Sequence, residues 1–263
     1  MDISISTTIF QTSTNKLCSF EDGIAMCAEA GFNWLELSRK HGELTDKKEL
    51  IESLGLSVWA IHGTLDGNAI SSSDKLRKES VAIELRRMED SAVFAPCPYV
   101  IHYLNRSNNP EIGIAFRKSI EDLVGKAIEL GLNLAIETVP HKTGNERYPE
   151  SLEVVEFVRS FNSSNVSVCI DLNHSNLNED LLQVCANAKG LISNIHVSDN
   201  HGIYEDHLPP GDGVIDFPPV FNALRKHGYT GPCNIECHIP DKISTKLLKS
   251  IFNTASQLTE AIK

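Results

Sequence analysis

A chain of 263 residues, 41% of them apolar and 22% charged, is long enough for one large core. Its formal charge of −11 argues against broad attraction to nucleic acid or to an anionic membrane, and no run approaches the ~18 apolar residues of a membrane span. Seven cysteines, an odd number without C-x-x-C spacing, fit reduced thiols in a cytoplasmic protein better than a disulfide framework, and the start, Met1 to Ser6, lacks the basic flank and apolar core of a secretory signal.

Ile3 to Ile9 alternates apolar with hydroxyl residues, which predicts a first strand. Ser19, with Glu21 and Asp22 behind it, opens a helix over Gly23 to Ala30 that Gly31 stops. The alternation then repeats. Strands are expected at Asn33–Ser38, Ser57–His62, Tyr99–Leu104 and Asn133–Thr138, and helices at Asp46–Leu54, Asp74–Ala95 and Pro110–Leu130. The last of these helices has proline at its start and Gly131 after its end. In the second half, strands are expected at Val166–Asp171, Ile192–Val197 and Cys233–Cys237. Helices are expected at Ser151–Phe161, Glu179–Ala188, Pro218–His227 and Lys242–Ile262. No proline- or serine-rich linker divides the chain, so residues 1–263 are expected to form one domain. Eight strand–helix units in this length and order predict a single-domain α/β fold, the (β/α)8 TIM barrel. A doubly wound open sheet is the alternative, but it usually has fewer strands, and no G-x-G-x-x-G follows the first strand here.

Seven of the eight strands end in an ionisable residue: Glu36, His62, His102, Glu137, Asp171 with His174, His196 and Glu236. In such a barrel the site lies where strands end and βα loops begin. Alternation along each strand puts Ala135 on the face of Glu137, Cys169 with Asp171, Asn194 with His196 and Asn234 with Glu236. Any one of these charged residues could simply cap a strand at the solvent boundary. Together they cannot, because carboxylates crowded at one barrel mouth repel each other. One divalent cation resolves the repulsion. Two Glu, one Asp and one His make a mainly oxygen site suited to Mn²⁺, Mg²⁺ or Co²⁺, and to Zn²⁺ if further histidines join. His62, His102, His174 and His207 are available for that; each alone reads as a hydrogen-bonding histidine. The stretch from Ser198 to Phe217 contains Pro210-Gly211-Asp212-Gly213, which allows a tight turn and close backbone approach to a ligand. Immediately after a strand ending in His196, it is expected to form a lid or a substrate edge.

Taken in order, five motifs resemble one superfamily: Ala135-Ile136-Glu137, Ile170-Asp171-x-x-His174, Ile195-His196-x-x-Asp199, Pro210-Gly211-x-Gly213-x-Ile215-Asp216 and Ile235-Glu236. It is the sugar phosphate isomerase/epimerase superfamily, the xylose-isomerase-like barrels. Ketose 3-epimerases, hydroxypyruvate isomerases, inosose dehydratases and endonuclease IV belong to it. The resemblance spans nearly the whole chain. It implies Glu137, Asp171, His196 and Glu236 as ligands of one divalent metal ion, and Glu137 and Glu236 as the groups that move a proton. His174 is implied as a third catalytic residue that holds a substrate oxygen or supports the metal, and His62, His102 and His207 are expected to contact substrate. The implied activity is isomerisation or epimerisation of a small sugar or polyol through an enediolate, with dehydration of a keto-polyol as the alternative. A metal phosphodiesterase resembling endonuclease IV is a further alternative, because His62, His102, His174, His207 and Glu205 fall where that enzyme has extra zinc ligands. The acidic charge and the lack of an evident basic, aromatic loop count against a nucleic acid partner. No Lys or Arg occurs between Lys189 and Arg225; the nearby basic residues are Arg106 after the fourth strand and Lys142 and Arg147 after the fifth, the last two in a polar stretch that reads as solvated surface, so a neutral sugar is expected. A homo-oligomer is left open.

Overall fold

The computed structural model describes residues 1–12, 15–140, 147–239 and 241–261. In the first half, β1 (Ile3–Ser6), α1 (Phe20–Ala30), β2 (Trp34–Ser38), α2 (Lys48–Ser53), β3 (Ser57–His62), α3 (Asp74–Ser91), β4 (Pro98–His102) and α4 (Pro110–Leu130) follow one another. In the second half come β5 (Asn133–Glu137), α5 (Ser151–Arg159), β6 (Val166–Asp171), α6 (Leu172–Asn176), α7 (Leu181–Asn187), β7 (Ile192–His196), α8 (Phe217–Lys226), β8 (Cys233–Ile235) and α9 (Thr245–Glu260). The strands pair in parallel in the order β7-β6-β5-β4-β3-β2-β1-β8. The ring closes where the Val197 N–H donates to the Asn234 carbonyl at 2.8 Å and the Glu236 N–H donates to the Val197 carbonyl at 3.1 Å. That closure is a TIM barrel; the two edges of a doubly wound sheet could not meet.

The helix ends follow local chemistry. Ser19 accepts the Asp22 N–H at the start of α1, and Gly31 ends it with φ +107°, a conformation in which a Cβ would be strained. Asn109 caps α4 ahead of Pro110, and Gly131 closes it. Ile3, Ile5, Leu35, Leu37, Leu134 and Ile136 face outward into the large core under the helices, while Val100, Ala135 and Cys169 form a small separate cluster inside the barrel. The inward positions predicted for Ala135 and Cys169 therefore hold.

Three elements differ from expectation. β1 stops at Ser6, whose hydroxyl accepts the Thr8 N–H and turns Thr7–Phe10 into a 3-10 helix instead of a longer strand. The helix expected to reach Ala95 ends at Ser91 and passes through a 3-10 turn, Ala92–Phe94, because Pro96 and Pro98 cannot continue it. An unexpected short helix, α6, begins immediately after Asp171, whose carboxylate caps it. The expected end of the last helix, Ile262, lies outside the described residues. All seven cysteines carry free thiols. Among the described residues no helix is long and apolar enough to cross a membrane.

Candidate active site

The strand ends converge on His196, a fully buried imidazole at the end of β7. Its Nδ1 lies 2.9 Å from Glu236 Oε2, 3.2 Å from Glu137 Oε1 and 3.9 Å from Asp171 Oδ2. Its Nε2 lies 3.0 Å from Glu36 Oε2. Glu36 comes from the middle of β2, one layer deeper, and the Asn194 and Asn234 side chains each donate to the same oxygen at 2.9 Å. Trp59 donates in turn to the Asn194 amide oxygen at 2.9 Å. The barrel floor is thus a polar lattice that fixes the His196 ring. Alternation correctly paired Asn194 and Asn234 with the site residues above them; Glu36, read as a strand end without a role of its own, lies two residues inside β2.

Three further histidines are held the same way. A carbonyl oxygen can only accept, so each contact below places the proton on Nδ1 and leaves Nε2 facing the mouth. His62 donates to Gly63 O at 2.9 Å and its Nε2 lies 3.3 Å from Glu137 Oε2. His174 donates to Thr138 O at 3.0 Å and its Nε2 lies 3.7 Å from Glu205 Oε2. His207 Nδ1 lies 3.3 Å from Glu236 O, and the residue holds φ +49°, a left-handed conformation unusual for a side chain of this size. His102 Nε2 sits 3.3 Å from Glu137 Oε2 at the rim. The residues expected at the site are brought to one end of the barrel; His62, His102, Glu137, His174, His207 and Glu236 line a cavity of about 470 Å³, while Asp171 and His196 lie buried behind its wall. Its wall also includes Thr8, Lys40, Arg106 and His238, which stand beyond the strands, and Ser38, the uncharged last residue of β2, none of which the strand-end reading picked out.

The loop after β7 forms an edge of this cavity, and its backbone is strapped down. Buried Asp199 accepts the N–H groups of Asn200 at 2.9 Å, Gly211 at 3.0 Å and Ile215 at 3.0 Å. A methyl group on Gly213 would overlap the Asn200 carbonyl and the Asp199 carboxylate, which explains a glycine there. Asp199→Ala is expected to destabilise the fold by about 2–4 kcal/mol, since two buried N–H groups and the part-buried one of Gly211 lose one acceptor. Urea unfolding measures that loss, and proteolysis within 200–216 should appear with it. Unfolding and proteolysis like those of the wild type would contradict the assignment.

Charge distribution at the floor is set by burial and by neighbouring charges. Burial opposes ionisation of Glu137, but His102 and His196 hold it well below the usual carboxylate range. Glu236 is lowered likewise, against burial, by His196 and His62. Burial pushes Asp171 up to about 7, with Glu137 adding to it. Burial disfavours the charged form of His62, yet Glu137 and Glu236 outweigh it and raise its pKa to about 9. Burial lowers that of His174.

The donor set suits a divalent cation. Glu137 Oε2 and Asp171 Oδ2 are buried without a well-formed hydrogen bond among the described residues, with histidine nitrogens at 3.3 and 3.4 Å, and a divalent cation would satisfy both oxygens. Ligand atoms of His62, Glu137, His196 and Glu236 lie within 4.8 Å of one another, as do those of Glu137, Asp171 and His174, and those of His174, Glu205 and His207. The expected quartet of Glu137, Asp171, His196 and Glu236 is thus spread over two overlapping groups that share Glu137. Asp171 leans toward His174 because its Oδ1 accepts the His174 N–H at 2.9 Å. Of the cations read as surface, Arg147 is engaged by Glu153, and Lys142 lies outside the described residues.

A family model described as Xylose isomerase-like TIM barrel matches residues 24–254. The uncharacterized protein MJ1311 of Methanocaldococcus jannaschii is 29% identical over 203 residues, covering 73% of this chain and 69% of that protein. A ketose 3-epimerase of Arthrobacter globiformis is 23% identical over 224 residues, 79% of this chain and 74% of that enzyme. The structure of D-psicose 3-epimerase with D-tagatose from Clostridium cellulolyticum H10 superposes with a TM-score of 0.81 at 17% identity, covering 100% of this chain and 99% of that one. At that identity the likeness is one of fold.

Proposed function

The chain belongs to the xylose isomerase-like TIM barrel family, and from that premise we propose that it is a divalent-metal-dependent isomerase or epimerase of a small sugar. The observation that carries the proposal is the pair Glu137 and Glu236, which both approach Nδ1 of His196, at 3.2 and 2.9 Å, and both line an open cavity of about 470 Å³. Glu137, Asp171, His196 and Glu236, with His62 beside them, would hold the ion. When bound, it supplies Lewis acidity that eases removal of a proton from the carbon next to a carbonyl.

The residues of the chain do the rest. One glutamate takes the proton; the C–H electrons form the C=C bond of an enediolate and the carbonyl oxygen takes the charge. The other glutamate, once it has drawn a proton from solvent, delivers it to the opposite face, which inverts that carbon. Return by the first glutamate to the neighbouring carbon, with the hydroxyl proton passing to the former carbonyl oxygen, isomerises instead. His174 presents Nε2 to a substrate oxygen, and His62, His102 and His207 border the bound sugar. Loss of a hydroxyl from the carbon beyond would make the same start a dehydration.

Analysis of products from ketoses and inososes separates epimer, isomer and dehydration product. A panel giving none of the three, with each of Mn²⁺, Mg²⁺, Co²⁺ and Zn²⁺, would defeat the proposal. Glu36→Gln is expected to weaken divalent-cation binding about 10- to 100-fold, because the amide no longer orients the His196 ring. Titration of the cation-free protein with Mn²⁺ checks this; an unchanged affinity would leave Glu36 without that role. A second reading, a metal phosphodiesterase, is favoured by one observation, the additional group His174, Glu205 and His207. It requires about three ions per chain, where the first reading requires one, and elemental analysis of the loaded protein distinguishes them.

A further inference from the structure

We propose that Arg106, with Lys40 lining the same cavity, anchors an anionic group on the substrate, a phosphate or a carboxylate, at the end remote from the reacting carbons. This deepens the isomerase reading and rests on it. Arg106 stands in the loop after β4, with its backbone N–H donating to Leu104 O at 2.8 Å. It borders two cavities, the one of about 470 Å³ above the floor and an adjoining one of about 690 Å³.

The side chain is half-buried, and its Nε is out of solvent with no hydrogen-bond partner among the described residues. A buried guanidinium N–H without an acceptor is costly and calls for an explanation. Elsewhere the chain gives its buried arginines carboxylates: Arg39 has Asp90, and Arg77 has Asp122. Arg147, which borders the second cavity, is engaged by Glu153. Arg106 alone among the arginines bordering these two cavities has no carboxylate among the described residues, although several carboxylates stand at the floor.

The charge layout orients a ligand. Glu137 and Glu236 stand at the floor of the cavity, while Arg106 at its wall supplies a guanidinium fork matched to phosphate or carboxylate. A sugar with one acidic end would therefore sit with its carbonyl toward the glutamates and its anion toward Arg106. The expectation of a neutral sugar noted Arg106 after the fourth strand but gave it no anion to hold; its place at the meeting of two cavities does.

The test uses the metal-loaded full chain as wild type, Arg106→Gln and Arg106→Lys, with ketoses matched as free sugar, terminal phosphate and terminal carboxylate. The wild type is expected to favour an acidic form over the free sugar at least tenfold in kcat/KM. In Arg106→Gln that ratio should collapse by about 10- to 100-fold, with partial recovery in Arg106→Lys. Equal ratios in wild type and Arg106→Gln, or a wild-type preference for the free sugar, would overturn the anchor. Calorimetric binding of the phosphorylated and carboxylated sugars is read alongside. Should no sugar turn over, the isomerase reading falls, and binding still decides the anchor: a tenfold loss in Arg106→Gln supports it and an equal Kd removes it. Whichever acidic form binds the wild type more tightly identifies the group.

Discussion

Glu236→Gln is expected to lower turnover by about 10³-fold or more while the protein still takes up a divalent ion. An amide oxygen can coordinate, but it cannot take a proton from carbon. Glu236 suits the base role because His196 and His62 keep it ionised despite burial, and Thr8 donates to its Oε1 at 3.4 Å, which aims the carboxylate. Asp171→Ala should behave differently, losing ion and activity together, because Asp171 Oδ2 is buried with no hydrogen bond among the described residues and is free to take an ion. Ion content by elemental analysis beside kcat separates the two variants. If Glu236→Gln stays within about tenfold of wild type, a barrier change of about 1.4 kcal/mol, Glu236 is a ligand or a bystander and not the base.

Removal of the ion is expected to abolish turnover and to leave a less stable protein. Its return at about a hundred times Kd should stabilise the fold by about 2.7 kcal/mol, or roughly 5–10 °C in Tm for a chain of this size. The affinity should depend on pH in a stated direction. Without the ion, His62 keeps its proton up to about pH 9, and Asp171 titrates near 7. An ion bound among these groups must displace those protons, so affinity rises as pH increases through 7 and falls on acidification. Calorimetry in buffers of different ionisation heat should detect protons released on binding. A Kd that is flat between pH 6 and 8, roughly the window set by these groups, would contradict this arrangement.

Much of this was legible in the residues themselves. Strand and helix alternation with glycine stops closes at eight units, and closure is what separates a barrel from an open sheet. Strand-end reading found His62, His102, Glu137, Asp171, His196 and Glu236 because a barrel gathers its strand ends at one face. It could not rank them. Whether Asp171 or His62 stands closer to Glu236 depends on α6, a helix too short to show a period, whose cap draws Asp171 toward His174. Glu36 was visible as a carboxylate in an apolar strand, but its role needs the opposite side of the barrel, where His196, Asn194 and Asn234 converge on it. Arg106 was visible as a basic residue after the fourth strand, but a cation in a polar loop looks solvated until two cavities are seen to meet at it. Asp199 belonged to a recognised motif, yet its work on the backbone of its own loop emerges only from the folded chain.

The central claim is that this barrel mouth moves a proton at the carbon next to a sugar carbonyl. Incubation of the metal-loaded chain with ketoses in D₂O, followed by NMR, tests it most directly. Deuterium should enter at a single carbon beside the carbonyl with wild type, and fail to enter with Glu236→Gln. No incorporation into any ketose, from a chain that holds about three ions and cleaves a phosphodiester, would contradict it.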